Sequence, residues 1–267
     1  MPDMLLDKNP DMPRKYLVIS IDDGTTQDER VISLFKKYGI KATFNINTGV
    51  LDKREELPIL CFDGASLHHD IVTEKQLLNG LYAGFEVACH TRTHPMLTGL
   101  DEENLRREII GNYDDIVRLC GTAPTGIAYP GPSPNCDERV IDFLKKDGRI
   151  LYGRTIDETL GFSLPTDFYR WNPTCQFRGE NLAPTTEKFL QAKPDGEDLL
   201  FFVWGHSYEF DLARGAWDKL EWFCKEISAA KDVTSLSCGR FYEVFSGRAE
   251  RKISRTENNT KAGRGSV

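Results

Sequence analysis

The chain predicts an α/β fold on a parallel sheet, and three observations carry that prediction. Short runs that are apolar on both faces alternate with amphipathic helical stretches from residue 16 to residue 229. The length, 267 residues, suits one α/β barrel, a fold that commonly runs to roughly 250 residues. Chemistry-bearing residues follow directly on four of the runs, as they do at the C-terminal rim of a parallel barrel.

The elements follow in order. Residues 16–21 (Tyr-Leu-Val-Ile-Ser-Ile) form a strand that stops at Asp22-Asp23-Gly24. Residues 27–38 have helical spacing through Val31, Ile32, Leu34, Phe35 and Tyr38, with Gly39 as the stop. Residues 40–46 are a second strand, 73–83 a helix, and 85–89 a third strand running into His90. The clearest helix is 101–120, with Leu105, Ile109, Tyr113, Ile116, Val117 and Cys120 on one stripe. A short strand at 126–129 ends at Pro130-Gly131-Pro132; 137–146 is helical and 149–153 extended. Residues 199–204 form a strand ending in Gly205-His206, and 217–229 a helix. The stretch 154–197, with Pro165, Pro173, Pro184 and Pro194, reads as irregular loops over a site. Residues 1–14 read as an extension and the polar 246–267 as a disordered tail. No internal repeat is visible.

Composition narrows the partners. A 40% hydrophobic content fills a core, and 28% charged residues with scattered aromatics argue against disorder. The net charge of −7 disfavours nucleic acid or an anionic membrane, both of which need clustered Lys and Arg. No apolar run approaches the roughly 20 residues of a membrane span. Residues 1–13, with Asp3, Asp7 and Asp11, lack the apolar core of a signal peptide. Seven cysteines (Cys61, Cys89, Cys120, Cys136, Cys175, Cys224 and Cys238) are odd in number and without paired spacing. They predict free thiols in a reducing, cytoplasmic setting.

Two imidazoles at i, i+4, His90 and His94, and the adjacent acids Asp22 and Asp23 supply the ingredients of an open divalent-metal site able to activate water. If one aspartate coordinates the metal, the other is left free beside the activated water as general base. His206, flanked by Trp204 and Tyr208, suits a general acid in an aromatic pocket. Each piece alone has a plainer reading: a lone histidine is usually structural, and Asp-Asp-Gly makes an Asx-type turn. Three of the five histidines and the one Asp-Asp-Gly nevertheless fall where strand ends converge. His68-His69-Asp70 is a rival cluster in a polar stretch after Asp63-Gly64.

In order, Ser20-Ile21-Asp22-Asp23-Gly24, His90-Thr-Arg-Thr-His94, Ala128-Tyr129-Pro130-Gly131 and Trp204-Gly205-His206 resemble the motifs of the polysaccharide deacetylases, the fourth carbohydrate esterase family, over roughly residues 15–210. The resemblance implies a distorted (β/α) barrel, seven-stranded and a single domain over 15–245, that removes acetyl from an N-acetylated sugar with one divalent metal. Zinc is foremost, with cobalt, manganese or nickel as alternatives. Asp22 matches the catalytic base, Asp23, His90 and His94 the metal ligands, His206 the catalytic acid, and the Gly131 N–H an oxyanion donor. Tyr129 belongs to the same motif.

The departures are specific. The family's third motif usually opens with the Arg that orients the base, and this chain has Ala128; Arg170 is the expected substitute. That motif usually ends in an aromatic, where Gly131 stands. The Asp-x-x-Asp-Trp motif that tunes the acid is absent, and Trp171 is expected to line the pocket instead. Trp204, where the family has a small aliphatic, implies a reshaped acyl pocket. Two alternatives stay open: a catalytically silent sugar-binding protein on the same barrel, and a metal-dependent amidohydrolase or esterase acting on a small non-sugar amide or ester.

Overall fold

The computed structural model describes residues 14–53, 59–62 and 64–247. Its strands are β1 (Lys15–Asp23), β2 (Thr43–Ile46), β3 (Ile59–Phe62), β4 (Ala65–His68), β5 (Glu86–Cys89), β6 (Gly126–Ala128), β7 (Tyr152–Arg154), β8 (Cys175–Gln176), β9 (Leu199–His206) and β10 (Val233–Leu236). Seven parallel strands curl into a distorted barrel in the order β7-β6-β5-β2-β1-β9-β8. The short β10 lies parallel to the first half of β1, and β2 to its second half. A parallel bridge joins Arg154 to Trp171, four residues before β8, so the segment 171–176 spans the gap between the two ends of the sheet.

All nine residues of β1 are buried, because helices cover one face and the barrel interior the other. The two-residue period sorts them. Leu17, Ile19 and Ile21 face the large core under the helices. Tyr16 and Val18 face a second, aromatic core with Leu200, Phe202, Tyr152, Trp171 and Phe241. Alternation continues that inner column upward to Asp22 on β1, to His206 on β9 and to Arg154 on β7. The barrel is therefore filled by aromatics below and by ionisable groups at the C-terminal end of the strands.

The helices are α1 (Asp28–Tyr38), α2 (Glu74–Leu78), α3 (Glu102–Leu105), α4 (Gly111–Cys120), α5 (Glu138–Asp147), α6 (Leu182–Gln191), α7 (Glu209–Leu212) and α8 (Ala216–Ala229); residues 238–247 form another. Helix α1 ends at Gly39 in the left-handed conformation (φ 66°), as its Gly signal predicts. The long helix expected over 101–120 is present, but Arg106–Ile110 is a π-turn between α3 and α4. The helix expected over 73–83 is only Glu74–Leu78, closed by a Thr73/Gln76 capping box, with turns beyond Gly80. The expectation of loops throughout 154–197 is corrected: this stretch holds β8 and α6. Pro184 falls in the first turn of α6, where a missing N–H costs nothing, so it does not break the helix. Residues 246 and 247 continue the last helix; the rest of the expected tail and residues 1–13 lie outside the described residues. Among the described residues no helix is long and apolar enough to cross a membrane.

Candidate active site

Parallel register brings the motif residues to one rim. Asp22 pairs with His206 across β1 and β9 and with Asn45 across β1 and β2. The Ile46–Cys89 pairing then places His90, the next residue after β5, beside Asp23. Asp23, Thr91 and His94 adopt left-handed backbone (φ 78°, 66° and 61°) although none is glycine. Such strain persists only where the surroundings impose it.

Buried amides impose it here. Asn112 accepts from the His90 N–H (3.0 Å) and donates to the Ile46 carbonyl (3.1 Å). Asn47 donates to the carbonyls of His90 and Thr91. The π-turn presents Glu108 to the same loop, where its carboxylate accepts from the Thr93 N–H (2.9 Å) and hydroxyl (3.0 Å). The bonds from Asn112, Asn47 and Glu108 to residues 90–93 hold the histidine loop against the neighbouring chain.

Asp23 lies at the centre. Its Oδ1 is 3.3 Å from His90 Nε2 and 3.8 Å from His94 Nε2. One ligand atom from each of these three residues falls within 4.8 Å of the others. His90 Nδ1 is 2.8 Å from the Ala128 carbonyl, which can only accept, so Nδ1 donates there and Nε2 is the nitrogen turned to Asp23. That Nε2 is buried with no hydrogen-bond partner. His94 keeps 41% of its side chain exposed, but the desolvation of its inner face, with His90 alongside, pulls it down to about 4, so it is neutral at pH 7. Burial alone would raise the Asp23 carboxyl, but contacts from His69 and His90 and the nearby imidazoles outweigh it and hold the acid well below its usual range. Two imidazoles, one carboxylate held in its ionised form and an orphaned buried nitrogen fit a divalent cation.

Asp22 stands beside this set, 2% exposed. Asn45 Nδ2 donates to its Oδ1 (2.9 Å) and Arg154 Nη2 to its Oδ2. Arg154 is itself 1% exposed and lies over the Trp204 ring, 4.7 Å from its centroid. The expectation for Arg170 is corrected: its guanidinium is held by Glu138 and Asp167 near the surface. The β6–β7 register sets Ala128 opposite Arg154, so the guanidinium missing from one strand arrives from the next.

His206 Nε2 lies 3.9 Å from Asp23 Oδ2, and its Nδ1 lies 3.4 Å from Glu209 Oε1. Burial would lower this imidazole, but the Glu209 bond and the charges of Asp23, Glu209 and Asp22 push it up to about 9. Tyr208 stacks on it (4.9 Å between centroids) and Trp204 meets it edge-on (5.6 Å).

Other expectations need correction. Trp171 does not line a pocket; it is 1% exposed and stacks on Phe241 in the lower core. The Tyr129 side chain also turns into the core, its hydroxyl donating to the Tyr169 carbonyl (2.9 Å). Gly131 has φ 83°, and a Cβ there would lie 2.1 Å from Met96 Sδ, which explains why no aromatic stands at that place. From the rival cluster, His69 joins the site: its Nε2 is 3.3 Å from Asp23 Oδ2. Arg154 and Glu209 are thus site positions that sequence reasoning missed, and His69 is one it set in a rival cluster. Arg154 ends an extended run as Asp22 does, and Glu209 lies three residues beyond His206, so both had a readable signal.

Residues 9–149 match the sequence model of the family described as Polysaccharide deacetylase. No curated protein sequence matches the chain. Among solved structures, peptidoglycan deacetylase PdaC from Bacillus subtilis aligns with TM-score 0.51 at 17% identity, over 91% of this chain and 97% of that one. A family 4 acetyl xylan esterase from Clostridium thermocellum, in complex with a cobalt ion, aligns with TM-score 0.50 at 15% identity, over 86% and 91%. A Mycobacterium smegmatis protein assigned as a polysaccharide deacetylase reaches TM-score 0.60 at 15% identity, over 90% and 93%. At these identities the likeness is one of fold.

Proposed function

The chain belongs to the polysaccharide deacetylase family, and from that premise we propose that it is a metal-dependent hydrolase that removes acetyl from an N-acetylated sugar, with residues 15–245 as its catalytic domain. The observation that carries the proposal is the convergence of Asp23, His90 and His94 within 4.8 Å, flanked by Asp22 and His206. Asp23, His90 and His94 would hold one divalent cation. Zinc is the first candidate, and cobalt is supported by the ion in the C. thermocellum esterase. When bound, such a cation lowers the pKa of water and polarises an acyl carbonyl.

The remaining work falls to side chains. Asp22 accepts the proton of the attacking water, its two oxygens aimed by Asn45 and Arg154. The Gly131 N–H is the oxyanion donor, a contact whose loss typically costs about 3 kcal/mol. His206, protonated at neutral pH through Glu209 and the two aspartates, donates to the departing nitrogen. Trp204 and Tyr208 pack around that acid and exclude water from it. Free cysteines at all seven positions, four of them buried, support a reducing, cytoplasmic setting.

The test is a panel of N-acetylated sugars, acetylated oligosaccharides and small amides, assayed after chelation and after readdition of Zn²⁺, Co²⁺, Mn²⁺ or Ni²⁺. Acetate release that vanishes on chelation and returns with metal is expected for an acetylated sugar. Release from small amides alone would shift the substrate class. Sugar binding without any release would replace the hydrolase by a silent binding protein.

A further inference from the structure

Asp23 has two oxygens, and the family motifs account for one. Oδ1 faces His90 and His94, whereas Oδ2 faces His69 at 3.3 Å and His206 at 3.9 Å. His69 follows the β3–β4 hairpin, inserted between β2 and β5 and outside the barrel sheet. The insertion is laced to the aspartate loop by backbone. Thr25 and Ile71 form an antiparallel bridge, the Val72 N–H donates to the Gly24 carbonyl (2.9 Å), and the Thr26 N–H donates to the Asp70 carbonyl (3.0 Å). Tyr208 meets the His69 ring edge-on at 5.2 Å. The imidazole is thereby built against Asp23 from two sides, and its Nε2 is buried without a hydrogen-bond partner.

We propose that His69 is a positioning residue of the metal centre: its Nε2, already 3.3 Å from Asp23 Oδ2, turns its N–H onto that oxygen when the cation is bound and so presents Oδ1, with the correct rotation of the carboxylate, to the cation shared with His90 and His94. The inference rests on the metal site proposed above. His69 is placed outside the ligand set because it addresses the oxygen turned away from His90 and His94, and because the mutually close donors are Asp23, His90 and His94. A ligating carboxylate whose second oxygen is hydrogen-bonded loses less freedom on binding metal, and removal of such a partner typically weakens affinity about 10–100-fold.

Competition of the full chain against a chromophoric chelator for Co²⁺ tests this, with His69→Leu, His69→Gln and the control His90→Ala. The leucine variant should bind Co²⁺ about 10–100-fold more weakly, while glutamine, whose amide nitrogen occupies nearly the place of Nε2, should stay within about threefold of wild type. The visible Co²⁺ absorption of the glutamine variant should match wild type, since no ligand has been exchanged. His69→Asn, whose shorter amide falls short of Asp23, carries the expectation of the leucine variant should that one not fold. Wild-type affinity in His69→Leu beside a large loss in His90→Ala overturns the role of His69 alone. So does a loss in His69→Gln as large as in His69→Leu, which would mark His69 as a ligand. Wild-type affinity in His90→Ala removes the metal site and this inference together.

Discussion

At the N-terminal end of the strands, Lys15 is 1% exposed, with its ammonium on the Leu190 carbonyl (2.9 Å) and the Asp232 carboxylate (3.0 Å). Glu86, half-buried nearby, accepts from Thr43 Oγ1 (2.8 Å), the Gly239 N–H (2.7 Å) and Tyr152 OH (3.1 Å). At the C-terminal end Asp22, Asp23 and His90 are as deeply placed, but His90 Nε2 has no hydrogen-bond partner, and three non-glycine residues hold left-handed backbone. One end satisfies its charged groups, Lys15 and Glu86, internally. The other leaves His90 Nε2 unanswered and the chain strained. A buried charge therefore says little by itself; a buried imidazole nitrogen left unsatisfied in strained backbone suits a cation site.

The contrast breaks most sharply at Asp22, the acid that is satisfied yet sits at the unsatisfied end. Asp22→Asn should keep the Asn45 contact and leave bound metal at the wild-type level, while turnover falls by about 10²–10⁴-fold. Metal analysis of the purified variant and initial rates on the responsive substrate check both halves. Near-wild-type turnover would move the base elsewhere. Arg154→Met comes next. It removes the charged partner of Asp22 and leaves the metal ligands alone, so the expected loss in kcat is about 10–100-fold with unchanged metal content. Arg170→Met, by contrast, should be silent, because that guanidinium serves Glu138 and Asp167.

These two arginines show where the sequence was legible and where it was not. Asp22, Asp23, His90, His94 and His206 are readable because each stands at or shortly beyond the C-terminal end of a strand, and strand order in a parallel barrel converts chain position into a place on one rim. The alternation of Tyr16, Val18 and Asp22 on one face of β1 was equally available, and applied to Tyr152 and Arg154 it would have found the partner of the base. Arg170 lies in the turn 168–170, off the strands, where chain position carries no such geometry. Trp171 itself is apolar surface that the lower core absorbs. His69 is visible in the sequence only as part of a rival cluster, because only the backbone lacing of the inserted hairpin brings it to Asp23. The π-turn that aims Glu108 likewise has no simple periodic signature.

A smaller effect sharpens the contrast in pH. His206 must be protonated to donate, and its pKa is pushed up to about 9. Turnover should thus hold through neutral pH and decline as pH rises through that value. The decline is expected at or somewhat below it, because a cation on Asp23 would cancel part of that acid's pull. Glu209→Gln removes the bond and charge that raise the imidazole, so the alkaline limb should move to lower pH. Activity should fall further at pH 9 than at pH 7. A limb that stays in place in a pH–rate profile would assign it to a group other than His206.

The smallest effect on chemistry belongs to the satisfied end. Glu86→Ala strands three donors, Thr43 Oγ1, the Gly239 N–H and Tyr152 OH, and lost partners of this kind cost about 1–3 kcal/mol. Thr43 Oγ1 also accepts from the Cys238 N–H (2.8 Å), so the loss should loosen the last helix, 238–247, against the aromatic core it covers. Chemical denaturation should show the lower stability, while metal content and kcat below the transition remain those of wild type, since β5 reaches His90 through three further buried residues. A variant that kept its stability but lost metal would mean that strain at the site is anchored from the far end of the barrel. The two ends would then form one cooperative unit, and the separation between a satisfied scaffold and an unsatisfied rim would fail.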